Sequence, residues 1–176
     1  EHIANSEMLE VLSTTDQLTG LLNRGTFEKH LTDRVFAQVK TQAPTGVLVF
    51  IDFDNFKLIN DSQGHKAGDK ALVKLANFLS NLSRPGDFVA RFGGDEFAMW
   101  LNGLDKPKAR ALFKPLLLNT SFFSEFSVDR RKPVGISAGI VLLDRNCDRT
   151  ASDLIERADI LMYRRKKDKK RRRANK

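Results

Sequence analysis

"RFGGDEFAMW", residues 91–100, sets two glycines and two acids in the middle of an apolar strand pattern. Phe88, Val89, Ala90 and Phe92 lead in, and Phe97, Ala98, Met99 and Trp100 lead out. Paired glycines permit positive φ, so the stretch predicts two strands joined by a tight hairpin, with Asp95 and Glu96 at its tip. Taken alone, such a turn is ordinary and its acids are simply solvated. The rest of the chain decides whether they form a site.

Outward from the hairpin, "GVLVFID" (46–52) is a continuous apolar run of strand length, the pattern of a strand buried on both faces. It ends abruptly in Asp52-Phe53-Asp54. Asp52 therefore sits at the C-terminal end of a buried strand, where open α/β sheets place ligand chemistry. A hairpin lying beside that strand would bring Asp52, Asp95 and Glu96 together. Three converging carboxylates repel unless a cation joins them, and oxygen-only ligands favour Mg²⁺ or Mn²⁺.

The remaining pattern alternates helices with strands and predicts an α/β or α+β sandwich. Helices are expected over residues 1–15 (Ala4, Met8, Val11), 27–40 (Phe27, Leu31, Val35, Val39) and 56–60. "DSQGHKAGD" reads as a loop, followed by a helix over 69–82 that Asp69 could cap, and another over 106–118. "VGISAGIVLL" (134–143) is a last strand and 152–167 a last helix. Residues 119–132 are ambiguous, with Phe122, Phe123 and Phe126 expected to plug the core.

Composition bounds the function classes. The 176 residues are 41% hydrophobic and 30% charged, as in one globular domain. No apolar run approaches the roughly 18 residues of a membrane span. A single Cys147 excludes a disulfide within the chain, and with only His2, His30 and His65 besides it the composition argues against a zinc site. The net charge of +8 is local: residues 164–176 carry ten basic side chains and one acid, leaving the rest near neutral. That distribution argues against a specific nucleic-acid partner, and the basic end is expected to be a solvated, partly disordered tail. The chain begins Glu1-His2-Ile3, without methionine, so a piece of a longer protein is expected.

"RFGGDEF" resembles the signature of the GGDEF family, the diguanylate cyclases. "DQLTGLLNR" (16–24), "DFDNFKLINDSQGHKAGD" (52–69), "SAGI" (137–140) and "ADILMYRRKK" (158–167) resemble further motifs of that family, in its order. The resemblance implies a ferredoxin-like, palm-type domain with a mainly antiparallel central sheet flanked by helices. It implies condensation of two GTP into cyclic di-GMP with release of pyrophosphate, in a cytoplasmic homodimer controlled by an N-terminal sensory domain. Residues 1–15 would end the signalling or coiled-coil helix, 16–167 would be the catalytic domain and 168–176 a basic tail. A non-catalytic module binding GTP or cyclic di-GMP is the alternative from another class.

Carried over by position, Asp52 and Asp95 hold a metal with help from the main-chain carbonyl of Phe53. Glu96 binds a second metal or helps deprotonate the attacking 3′-hydroxyl, so two Mg²⁺ or Mn²⁺ are implied per site. The backbone N–H groups of Asn55 and Phe56 suit phosphates, with Lys57, Lys166 and Lys170 adding positive charge. Asn60 and Asp69 match the guanine readers, and His65, Gly93 and Gly94 belong to the same substrate site. "RPGD" (84–87) matches the product-binding inhibitory site through Arg84 and Asp87. The chain departs from the family pattern at Gly25, Arg165 and Lys169, where a second Arg, an Ala and a Gly are usual.

Overall fold

A computed structural model of the chain describes residues 14–41, 46–118 and 120–174. In chain order the elements are β1 (Leu22–Asn23), α1 (Arg24–Thr41), β2 (Gly46–Asp54), α2 (Phe56–Gln63) and α3 (His65–Leu82). The hairpin β3 (Phe88–Gly93) and β4 (Glu96–Asn102) follows, then α4 (Lys106–Leu118) and a 3₁₀ turn (Thr120–Phe126). β5 (Gly135–Leu142) and α5 (Ala151–Ala174) complete the chain. One sheet has the order β1-β3-β4-β2-β5, antiparallel except for the short β1–β3 pairing. This is the α+β architecture expected from the sequence.

Period-two alternation gives the sheet two covered faces. Val47, Val49, Ile51 and Phe53 of β2, with Phe97, Met99 and Leu101 of β4, enter one core that also takes residues of α2, α3, α4 and the 3₁₀ turn. Leu48 and Phe50, with Ala98 and Trp100, enter a second core with residues of α1 and α5. Each fully buried side chain of this size contributes about 1.5–3 kcal/mol, which explains why β2 is apolar at successive positions. The helix α5 lies so close to β5 that a Cβ at Gly139 would stand 1.9 Å from the carbonyl oxygen of Ala158. Only glycine allows that approach, and it holds the following turns of α5 against the sheet end.

Several expected boundaries move, each for a local reason. α1 begins at Arg24 because Asn23 Oδ1 accepts the Thr26 N–H at 2.9 Å, an N-cap. Residues 61–69 are not a loop: α2 reaches Gln63, and α3 starts at His65 with the Gly64 carbonyl accepting from Ala67 and Gly68. Asp69 thus lies inside α3 and does not cap it. The last helix extends to Ala174, so most of the basic segment is helical; Arg171, Arg172 and Arg173 meet the negative end of its dipole. The ambiguous stretch contains the 3₁₀ turn, and Phe123 and Phe126 are buried as expected while Phe122 packs against the core. The expected N-terminal helix, up to residue 13, and the Val39 side chain lie outside the described residues. No described helix is long and apolar enough to cross a membrane.

Candidate active site

The antiparallel register sets Asp52 of β2 directly opposite Glu96 of β4. Directly paired residues project to the same face, here the one covered by α1 and α5. The Phe53 N–H extends the pairing past the strand end, donating to the Asp95 carbonyl at 3.3 Å. At the tip, Gly93 pairs with Glu96, leaving Gly94 and Asp95 as the two central turn residues. Gly93 has φ +145 and Gly94 φ +47, so any side chain at either position would strain the turn.

Arg91 braces this tip. Its Nη2 and Nε donate to the Gly94 carbonyl at 2.8 and 3.1 Å, and its Nη1 lies 3.2 Å from Asp16 Oδ2. Asp16 also accepts from the Thr19 N–H at 2.9 Å and the Thr19 hydroxyl at 2.7 Å. Burial pushes the Asp16 carboxyl up, but the Thr19 hydrogen bonds and Arg91 outweigh it and hold the group below its ordinary value. The sequence pattern assigns neither Asp16 nor Arg91 a role of its own. The two lie 75 residues apart, a separation at which opposite charges carry no readable pattern.

Lys166 reaches the acids from α5. Its ammonium pairs with Asp52 Oδ1 and donates to the Phe53 carbonyl at 2.9 Å. Burial raises the Asp52 carboxyl above its ordinary value; Lys166 opposes the shift, and the neighbouring charges of Asp95 and Asp54 add to it. Glu96 is raised by burial first, then by Asp52, Asp159 and Asp95. Oxygen donors, mutual repulsion and an ammonium already drawn onto two of those oxygens fit a hard divalent cation. Yet no three acidic, His or Cys side chains among the described residues come close enough together to hold one. Asp52 and Glu96 face each other across the ladder, and Asp95 occupies the adjoining turn, near enough for its charge to raise both. Cations of this kind complete their shell with main-chain oxygens, water and substrate phosphates.

The raised Glu96 has a measurable consequence. Because its folded value lies above 4.5, folding takes up a proton between the two values, and stability falls as pH rises through that interval. Ionised Glu96 therefore costs stability at neutral pH. Glu96→Gln is expected to raise the melting temperature of the metal-free protein at pH 7 by on the order of 1–2 °C, and to leave it unchanged well below pH 4.5. Calorimetric melts at the two pH values check this; a lower melting temperature at pH 7 would contradict it.

Beyond Asp52 the strand end stays polar. Asp54 is buried, accepting from the Ser137 hydroxyl at 2.6 Å and from Lys169 at 3.0 Å. Asn55 has a left-handed φ of 63° and donates from Nδ2 to the Pro133 carbonyl at 3.0 Å. Asn55, Lys166 and Lys170 line one cavity of about 530 Å³. Phe56 is half-buried, its ring 5.4 Å from that of Phe53. On α2 and α3, Lys57, His65 and Asp69 are exposed, while Asn60 Oδ1 is buried without a hydrogen-bond partner.

Arg84 and Asp87 lie at the other end of the β3–β4 hairpin, about five residues or some 16 Å of strand from the acidic tip. They engage each other: Arg84 Nε lies 3.3 Å from Asp87 Oδ2, which also accepts the Arg84 N–H at 3.0 Å. Asp87 Oδ1 accepts the Asn102 N–H at 2.7 Å, and Arg84 Nη2 donates to the Asn102 carbonyl at 3.1 Å. The Asp87 side chain is fully buried, whereas that of Arg84 is 48% exposed.

The fold and site define an α+β domain that carries acids on a glycine hairpin beside a buried strand end. Residues 13–172 match the family described as "Diguanylate cyclase, GGDEF domain", and the chain belongs to it. It is 39% identical over 161 residues to the probable diguanylate cyclase DgcE of Escherichia coli K12, covering 89% of this chain and 14% of that protein. It is 35% identical over 162 residues to the diguanylate cyclase DgcM of the same strain, covering 92% and 38%. The chain thus spans less than half the length of these relatives. It superimposes on the coiled coil and GGDEF domain of DgcB from Caulobacter crescentus, solved in complex with c-di-GMP. There the TM-score is 0.78 at 26% identity, covering 91% of this chain and 84% of that one.

Proposed function

We propose that this chain condenses two GTP into cyclic di-GMP with release of pyrophosphate. The observation that carries the reading is the β2–β4 register, which sets Asp52 opposite Glu96 with Asp95 hydrogen-bonded to Phe53 at one sheet end. Asp52, Asp95 and the Phe53 carbonyl would hold one Mg²⁺ or Mn²⁺, and Glu96 a second. Bound there, such ions offset the charge that builds up as a phosphoryl group transfers.

The chain's own groups do the rest. The attacking 3′-oxygen bonds to an α-phosphorus, the bond from that phosphorus to the β-phosphate oxygen breaks, and pyrophosphate leaves. As the alternative to holding an ion, Glu96, with its raised affinity for a proton, accepts the one lost by the hydroxyl. Asn55, Phe56, Lys57, Lys166 and Lys170 seat the phosphates. Asn60 and Asp69, beside His65, accept from the guanine, and Gly93 and Gly94 leave the turn open to the substrate. Since each domain reads one guanine, two domains facing each other bring each 3′-hydroxyl to the other's α-phosphate; the active state is a homodimer. The reaction belongs in the cytoplasm, under control of a sensory segment upstream.

Incubation with GTP and Mg²⁺, with the products identified by mass spectrometry, tests the proposal. Cyclic di-GMP is the expected product; GTP bound but unchanged would show a regulatory module instead.

Product feedback is proposed through Arg84 and Asp87. The half-exposed guanidinium can fork onto a guanine or a phosphate while Asp87 holds it in place. Arg84→Ala is expected to weaken cyclic di-GMP binding about tenfold or more by titration calorimetry. Equal affinity in parent and variant would reject the site.

A further inference from the structure

Six basic side chains face one cavity of about 530 Å³, among them the phosphate-seating Lys166 and Lys170 of the proposed reaction. Lys166, Lys169, Lys170 and Arg173 come from α5, and Arg131 and Lys132 from the segment before β5. Among the described lining residues Asp54 is the single acid, and it is already shared between Ser137 and Lys169. Two walls from distant parts of the chain therefore present a large net positive charge to one concave space.

Helix-end electrostatics accounts for part of this, because cations near the C-terminus of α5 complement its dipole. It does not account for Arg131 and Lys132, which belong to another element and face the same space. Nor does it account for Lys169. That ammonium also donates to the Ile136 carbonyl, and so stands as a fixed charge at the edge of β5. Charges arranged in a concave, partly desolvated space bind a compact polyanion far better than the same charges spread along an exposed helix.

We infer that Arg131, Lys132, Lys169 and Arg173 form an outer anion subsite for a linear phosphoanhydride, and that inorganic pyrophosphate is its ligand. Pyrophosphate carries more charge and more acceptor oxygens, on two linked phosphates, than orthophosphate does, and so can engage donors on both walls at once. That the ligand arises as the leaving group rests on the cyclase reading, whereas the binding itself does not. In that reaction the subsite retains pyrophosphate after bond cleavage and makes it an inhibitor.

Titration calorimetry with sodium pyrophosphate, without GTP and at about 0.15 M salt, tests the subsite directly. The parent chain is expected to bind pyrophosphate at least about tenfold more tightly than orthophosphate. Arg131→Ala with Arg173→Ala should weaken pyrophosphate binding about tenfold or more. A second double variant, Arg164→Ala with Lys167→Ala, removes the same charge from exposed positions of α5 outside the cavity and should change binding less than about twofold. Equal losses in the two double variants, or pyrophosphate no tighter than orthophosphate, would overturn the subsite. All the substitutions are at the surface, and melting curves confirm that each variant folds. A chain that binds pyrophosphate this way but makes no cyclic di-GMP would leave the subsite standing and remove the cyclase reading. Turnover without preferential pyrophosphate binding would do the reverse.

Discussion

Asp95→Ala is expected to abolish turnover, and Asp52→Asn to lower it by at least about 10³-fold, with the fold of both variants intact. The magnitude follows from the role. Loss of a ligand to a cation that neutralises a transferring phosphoryl group costs several kcal/mol in the transition state, and about 4 kcal/mol corresponds to 10³ in rate. The fold should survive because Asp95 serves the structure through its main chain. Its carbonyl accepts the Phe53 N–H, and the adjoining Gly94 carbonyl is held by Arg91. An alanine keeps both hydrogen bonds. At position 52 an asparagine still offers an oxygen to Lys166, and removes a carboxylate whose ionised form burial and its neighbours disfavour. Initial rates of cyclic di-GMP formation, beside a melting curve for each variant, decide the matter. Normal turnover in either variant would eliminate the metal role of that acid.

The second large effect concerns the base. GTP is expected to be used in preference to ATP by about 10⁴-fold, because a site built to accept a donor pair leaves its acceptors unpaired against a base that lacks it. Guanine presents N1–H and an exocyclic amine, and adenine has no equivalent pair on that edge. Asn60 Oδ1 is the local evidence: a buried acceptor without a partner costs about 1–3 kcal/mol until something donates to it. Asp69, one α-helix further on and exposed, is free of the capping duty its sequence position implied, since α3 begins four residues earlier at His65. Asp69→Ser should shrink the GTP-to-ATP ratio of kcat/KM by about tenfold or more. Equal use of the two nucleotides by the parent chain would remove both residues from that role.

Much of this site was legible in the linear order of residues. Asp52 could be placed at a strand end because "GVLVFID" is too short and too apolar to be anything but a covered strand, and because its apolar run stops at an acid. The hairpin was readable from Gly93 and Gly94 between two apolar runs. Both signals are local: they depend on backbone sterics and on which side chains water rejects, and neighbours in sequence carry that information. The helix starts at Arg24 and His65 were harder to place. Each depends on a single cap or carbonyl that competes with several equally plausible positions nearby.

By itself, then, the sequence determined the order of the longer helices and strands, the two-sided burial of β2, and the acids that the turn and the strand end would expose. Only the tertiary structure decided which strands became neighbours and which charges met. The β2–β4 register turned Asp52 and Glu96 to one face, and Gly139 let α5 close on that face so that Lys166 reached Asp52 from 114 residues away. Arg91 found Asp16, Lys169 found Asp54, and Arg131 came to face Arg173 by the same packing. The physical reason is one of range. Hydrophobic period and turn chemistry act between residues a few positions apart, whereas a charge pair forms wherever packed surfaces happen to bring two groups within about 4 Å, and nothing in the spacing of residues along the chain records that distance.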